Sequence, residues 1–249
     1  MPRAPTNGKT PCKDCPLRRL PIFENKSAQQ LQFIQTFKIG EMSIDQGGPI
    51  YLEGANSPYL FTVLEGWAFR FKSLRDGRRQ IVNYALAGDF IGLQNSLAAS
   101  MEHGVEALTN MRLCVFSRDK LFSLFVEHPS LGFDLTWLAA REERFLDDNL
   151  LAVGRRTATE RIAYLIAHLF SRSRELNLVK DGRLELPMTQ QHFADTLGLS
   201  LVHLNKTLRK LRATGLVVLD GRGVFVKDEA ALAKLAGMSG PSRERRPLI

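Results

Sequence analysis

The 249-residue sequence predicts an α+β chain with three parts in series: an N-terminal antiparallel β-barrel of jelly-roll type, a long dimerisation helix and a C-terminal winged helix. Three observations predict it. Short β-prone runs alternate with turn signals between about residues 38 and 120. Apolar residues then recur at spacings of four and three after Pro129. Finally, two short helical patterns meet at Gly198, and a hairpin pattern follows them.

Residues 1–24, rich in proline and basic side chains, read as an arm. Residues 25–128 read as the barrel. A short amphipathic helix at its start carries Leu31, Ile34 and Phe37. Runs such as Tyr59–Leu64, Trp67–Phe71 and Gln80–Tyr84 then lie between turns at Glu65-Gly66, Asp76-Gly77 and Gly88-Asp89. Residues 129–155 form the long helix, with Leu131, Leu135, Leu138, Glu142, Phe145 and Asn149 along one seam. Such a seam suits a dimer interface, and a polar residue within it fixes register at some cost in stability. The alternative is a helix packed on its own barrel. Gly154-Arg155-Arg156 reads as a hinge, residues 156–236 as the winged helix, and residues 237–249 as a disordered tail.

The helix-turn-helix carries most of the functional information. At about 100° per residue, Leu204, Leu208 and Leu211 share one face of the second helix. The opposite face carries Val202, Lys206 and Arg209, flanked by His203, Asn205 and Lys210. Ser200 and Thr189 stand where N-caps belong, and Gly198 supplies the backbone freedom of the turn. Thr189 and Gln190 open the first helix beside the expected DNA backbone. The hairpin Leu216–Val226 is the wing, with Arg222 at its tip placed for a phosphate. Ile162, Leu165, Ile166 and Leu169 share a face of the helix that opens this domain.

Charge agrees with this assignment. Residues 156–249 hold 16 Lys and Arg against 9 Asp and Glu, whereas residues 1–155 hold 18 against 17. A basic domain attracts the phosphate backbone and predicts salt-sensitive binding to duplex DNA. With 44% hydrophobic and 24% charged residues, the composition is that of ordinary globular domains. No apolar run approaches the roughly 20 residues of a membrane span, and the start has no apolar core of a secretion signal. The three cysteines suggest no disulfide framework, so a reducing cytoplasm is expected. There is no Ser-His-Asp set, phosphate-binding Gly-Lys loop or paired-His metal motif, so no enzyme is expected.

Over about residues 20–235 this order of parts resembles the Crp/Fnr family of bacterial transcription regulators. The pieces that carry the resemblance are Leu64-Glu-Gly-Trp67, Asp76-Gly-Arg-Arg-Gln80, Gly88-Asp-Phe-Ile-Gly92 and Thr189–Arg212. The resemblance implies a homodimer on a two-fold site in double-stranded DNA, a barrel that senses a signal, and contact with RNA polymerase at promoters.

Several positions depart from the better-known members. Cyclic-AMP-binding members carry Glu directly after the last glycine of Gly88–Gly92 and an Arg-Ser pair ten residues on. Here Gly92 is followed by Leu93, and His103-Gly104 hold the other two positions. Without that carboxylate and guanidinium the charge-assisted bonds are lost, and cyclic AMP is not the expected ligand. His103 is left either as a contact to some other ligand or as a surface-loop histidine. Cluster-binding members use four cysteines. Here Cys12 and Cys15 resemble the N-terminal pair, Pro21 stands at the third position, and Cys114 lies near the barrel position. Three thiolates fall short of the usual four for an iron–sulfur cluster. Zinc, a redox-active Cys12–Cys15 pair, and a buried structural Cys114 stay open.

The recognition helix departs as well. Val202 replaces a base-reading Glu and Lys206 an Arg. Val202 suits a thymine methyl, Asn205 adenine and Lys206 guanine, while His203 and Arg209 reach bases or phosphates. Two other functions remain beside the DNA-binding regulator. One is an iron–sulfur or thiol redox sensor of the same family. The other is a ligand-sensing module with a protein partner.

Overall fold

The structure is a computed structural model that describes residues 10–94, 100–221, 223–238 and 245–249. It divides into two compact units: unit 1 is residues 1–145 together with 245–249, and unit 2 is residues 146–244.

Unit 1 begins with two 3-10 turns, Cys12–Asp14 and Pro16–Arg19, and then helix α1 (Ala28–Phe37). Ser27 caps α1: its hydroxyl accepts from Gln30 N at 3.2 Å, and the Gln30 side chain accepts from Ser27 N at 2.8 Å. Eight strands follow: β1 (Lys38–Ile44), β2 (Pro49–Tyr51), β3 (Tyr59–Glu65), β4 (Ala68–Ser73), β5 (Arg79–Ala85), β6 (Phe90–Ile91), β7 (Gly104–Ala107) and β8 (Met111–Ser117). They form two antiparallel sheets, ordered β1-β8-β3-β6 and β2-β7-β4-β5. The core takes Met42, Phe61, Val63, Val105, Leu113 and Val115, so each sheet buries its apolar face against the other. The barrel expectation is thus met as a sandwich. Helix α2 (Leu121–Glu127) and the 27-residue α3 (Pro129–Arg155) follow.

Both expected loose ends are corrected where the structure describes them. Residues 10–24 are no free arm, since Cys12, Leu17 and Phe23 are buried. Proline spacing hides the fact that Leu17 and Phe23 form an apolar set for the sandwich. The tail is not disordered at its far end either: Arg246, Leu248 and Ile249 are buried within unit 1. Residues 239–244 lie outside the described residues.

In unit 2, Thr157 caps α4 (Ala158–Glu175) through a reciprocal pair with Glu160. Ile162, Leu165, Ile166 and Leu169 are buried, as the periodicity predicts. The helix break falls on the last residue of the expected hinge. Gly154 lies inside α3, and the helix breaks only at Arg156, where Thr157 starts the next cap. A glycine costs a helix only about 1 kcal/mol and does not by itself end one. Next come β9 (Arg183–Glu185), α5 (Gln190–Leu197), α6 (Leu201–Ala213), β10 (Val217–Asp220), β11 (Gly223–Val226) and α7 (Glu229–Leu235). The wing hairpin β10–β11 pairs Val217 with Val226, and β9 extends it to three strands.

Candidate functional site

Helices α5 and α6 form the helix-turn-helix. Thr189 accepts from His192 N at 3.2 Å, and Ser200 accepts from His203 N at 3.2 Å, so each helix start has the cap its sequence predicts. Gly198 ends α5 in the left-handed region at φ 63°, and its N–H donates to Ala194 O. Leu204, Leu208 and Leu211 are buried, which turns the opposite face outward. Val202 is 82% exposed. His203, Lys206, Arg209 and Lys210 are exposed beside it, as are Ser200, Thr189 and Gln190.

Asn205 differs from its expected role. Its amide nitrogen donates to Gln190 Oε1 at 3.1 Å and to Leu201 O at 3.0 Å. Both amide hydrogens are therefore engaged within the motif. Arg222 lies outside the described residues. The wing holds a cation the sequence reading passed over: Arg183 of β9 pairs with Asp220 and, at 2.9 Å, with Glu185.

The expected effector positions lie in unit 1. Leu93 is half-buried directly after Gly92. His103 is 6% exposed, so it is a buried group and no surface-loop residue. Arg70 Nε donates to its Nε2 at 3.1 Å, leaving Nδ1 to donate to Gln94 Oε1 at 2.7 Å. Burial, then the charges of Arg70 and Lys72, hold His103 well below its ordinary range, to about 3, so the ring is neutral. A side chain at Gly104 would meet the Phe71 ring at 2.5 Å, so that ring occupies the adjoining space. Arg70 goes on to pair with Glu142 of α3, and Asn83 donates to the same carboxylate at 3.0 and 3.2 Å. Gln94, His103, Arg70, Glu142 and Asn83 thus form one hydrogen-bonded chain from the end of β6 to α3.

Sequence reasoning missed Arg70, Asn83 and Gln94. The available sign was an arginine between phenylalanines in β4 and an asparagine opposite it in β5.

The seam on α3 points inward. Leu131, Leu135, Leu138 and Phe145 are buried within the chain itself, and Glu142 is held by the sheet. Asn149, at the far end of the seam, is half-buried. Glu142 thus rests on the chain's own sheet, in line with the alternative of a helix packed on its barrel, and the periodicity could not say what covers the face. On the opposite side of α3, Phe133 is 70% and Leu151 50% exposed.

The three thiols line one cavity of about 20 Å³, which holds about one water. Lys38, Arg18 and Thr62 also border it. Burial pushes the Cys114 thiol up to about 12 and raises that of Cys12, outweighing the nearby cations Lys38 and Arg18. Such groups stay neutral thiols. Among the described residues no group of three His, Cys, Asp or Glu side chains is placed to hold a metal ion. An iron–sulfur cluster does not fit this donor set.

A Crp-like helix-turn-helix domain profile matches residues 160–235, and a cyclic nucleotide-binding domain profile matches residues 41–128. The nitrogen fixation regulation protein FixK of Bradyrhizobium diazoefficiens is 30% identical over 226 residues, covering 90% of this chain and 93% of that protein. The chain belongs to the Crp/Fnr family. The transcriptional activator protein FnrL of Cereibacter sphaeroides is 29% identical over 230 residues, covering 91% of this chain and 92% of that one. The solved structure of FixK2 from Bradyrhizobium japonicum superposes with a TM-score of 0.69 at 28% identity, covering 81% of this chain and 98% of its own. As a Crp/Fnr member with a Crp-like helix-turn-helix, the chain is a DNA-binding transcription regulator and not an enzyme. No described helix is long and apolar enough to cross a membrane.

Proposed function

We propose that this Crp/Fnr regulator binds a two-fold site in double-stranded DNA as a homodimer and activates transcription through RNA polymerase in the cytoplasm. The observation that carries the DNA reading is the outward face of α6, where Val202, His203, Lys206, Arg209 and Lys210 stand exposed over a buried leucine face. In this reading Val202 meets a thymine methyl and Lys206 donates to guanine. Arg209, Lys210, His203 and the capped helix starts at Thr189, Gln190 and Ser200 hold the phosphates. Asn205 acts as a link between the two helices. Activation is supported by the naming of FnrL as a transcriptional activator.

The dimer face differs from the one the heptad suggests. At about 100° per residue, Phe133, Trp137, Ala140 and Leu151 lie on the side of α3 opposite Leu135 and Glu142. The exposure of Phe133 and Leu151 supports this side as the surface a second copy covers. Cyclic AMP is not the signal in this reading, because Arg70 and His103 already have protein partners.

Competition binding against random-sequence DNA across a salt series tests the proposal. Lys206→Ala is expected to abolish site preference, and Arg209→Ala to weaken all sequences alike and lower the salt slope by about 1. Weak, salt-insensitive binding by the intact protein would instead favour a protein partner. Sedimentation of Phe133→Glu, expected monomeric, tests the dimer face, with Leu151→Glu as its independent check.

A further inference from the structure

Residues 245–249 belong to unit 1, although the chain reaches them only after passing through unit 2. Arg246 N donates to Ile22 O at 2.8 Å and Glu24 N to Arg246 O at 2.9 Å, a parallel bridge around Phe23. The buried Arg246 guanidinium donates to Asp89 Oδ1 at 2.9 Å and Ala87 O at 3.0 Å, and lies 4.7 Å over the Phe23 ring. Gly88, at φ 83°, leaves room for that ring: a Cβ there would stand 2.2 Å from it. Beyond Arg246, Arg18 donates to Leu248 O at 3.3 Å, and the Thr62 hydroxyl donates to Ile249 O at 2.6 Å. Leu248 and Ile249, at 2% and 4% exposure, form part of the wall of the cavity that Cys12, Cys15 and Cys114 share.

These are the contacts of a bound peptide: a strand-like bridge, an arginine in an acidic and aromatic pocket, and two aliphatic anchors. We infer that unit 1 carries a peptide-binding groove, that residues 245–249 of this chain are its occupant, and that the seated segment is a removable cover over the three thiols. Occupancy is registered at two places. Asp89 also accepts from Arg141 of α3 at 3.2 Å, so the seated segment puts two guanidiniums on one carboxylate, and its departure leaves Asp89 to Arg141 alone of the two. The cavity has room for about one water, so a bulky adduct on Cys12 or Cys114 and a seated segment exclude each other. Thiol chemistry and seating are therefore linked in both directions.

The test is iodoacetamide labelling of Cys12 and Cys114 in the folded protein, followed by mass spectrometry. Deleting residues 245–249 is expected to speed labelling at least tenfold. A synthetic peptide of residues 243–249 should reverse this, and the same peptide with Ala in place of Arg246 should not. An unchanged rate, or a rise that the peptide leaves untouched, overturns the inference. Hydrogen exchange on the intact chain provides a second route if the shortened chain does not fold. The Arg246 amide is expected to exchange at least a hundredfold faster than the amide of Val115 in β8. Equal protection would make the segment a permanent part of the unit and overturn its removal.

Discussion

Arg70 and Glu142, 72 residues apart in sequence, form an ion pair that seats helix α3 on the β4–β5 face of the sandwich. Asn83 donates to the same carboxylate, and Arg70 Nε donates to buried His103. A residue that reads in sequence as a polar break in a dimer seam is thereby a fixed point of contact with the chain's own β-sandwich.

Replacing Glu142 by Leu removes that point and leaves a mostly buried guanidinium and the Asn83 amide without their acceptor. The loss is expected to be about 2 kcal/mol, below the roughly 3–5 kcal/mol of a fully buried pair because both side chains keep some access to water. Combining it with Arg70→Leu should recover much of the loss. Urea unfolding of the two single variants and the double variant checks both statements. Additive losses would mean that the pair contributes nothing as a pair.

Asn205 and Gln190 offer a similar cycle inside the helix-turn-helix. Because Asn205 donates to Gln190 at 3.1 Å, Asn205→Ala and Gln190→Ala should each cost about 1 kcal/mol, and the double variant little more than either one. Site preference should persist in Asn205→Ala. Its loss in that variant alone, with Gln190→Ala normal, would return Asn205 to the role of base reader.

The legibility of the sequence divides along local and non-local lines. The helix-turn-helix was legible almost residue by residue, since Thr189, Gly198, Ser200 and Leu204 act through neighbours a few positions away. The sandwich was legible as alternating short strands. What escaped depends on distant partners. Asp89 reads as half of a Gly-Asp turn, and nothing near it announces Arg246, 157 residues later. Likewise, the seam from Leu131 to Phe145 was legible as a face, but its cover was not, because one periodicity serves a second copy and an adjacent sheet equally well. Strand β9 has only three residues, too few for any alternation to register.

Gly198 gives a separate measure of how much the turn depends on its backbone. Its φ of 63° is unfavourable for any residue with a Cβ, yet the nearest atom to a methyl added there, Val153 Cγ1, would lie at an ordinary 3.6 Å. Gly198→Ala is therefore expected to cost about 1–2 kcal/mol from backbone strain alone. Gly198→Asn should cost less, because Asn visits this region more readily. Equal losses in urea unfolding would mean that crowding, rather than φ, sets the cost.

His103 links the pH dependence of stability to the same polar chain. Its pKa lies at about 3 in the folded protein, depressed chiefly by burial and then by Arg70 and Lys72, against an ordinary 6.5. Between these values the unfolded chain binds a proton that the folded chain refuses, so the folded state is progressively disfavoured as pH falls from 6.5 towards 3 and carries no such penalty above 6.5. From about pH 7 to pH 5 the loss from this group should be about 2 kcal/mol, at about 1.4 kcal/mol per unit below the ordinary value. His103→Gln keeps an uncharged polar group beside Arg70 and Gln94 but cannot take up the proton. Urea unfolding at about pH 7, 6 and 5 should therefore give a flatter stability profile for the variant, with the other histidines cancelling between the two proteins. Parallel profiles would mean that His103 binds its proton in the folded state, and that the chain from Gln94 to Glu142 tolerates a second positive charge beside Arg70.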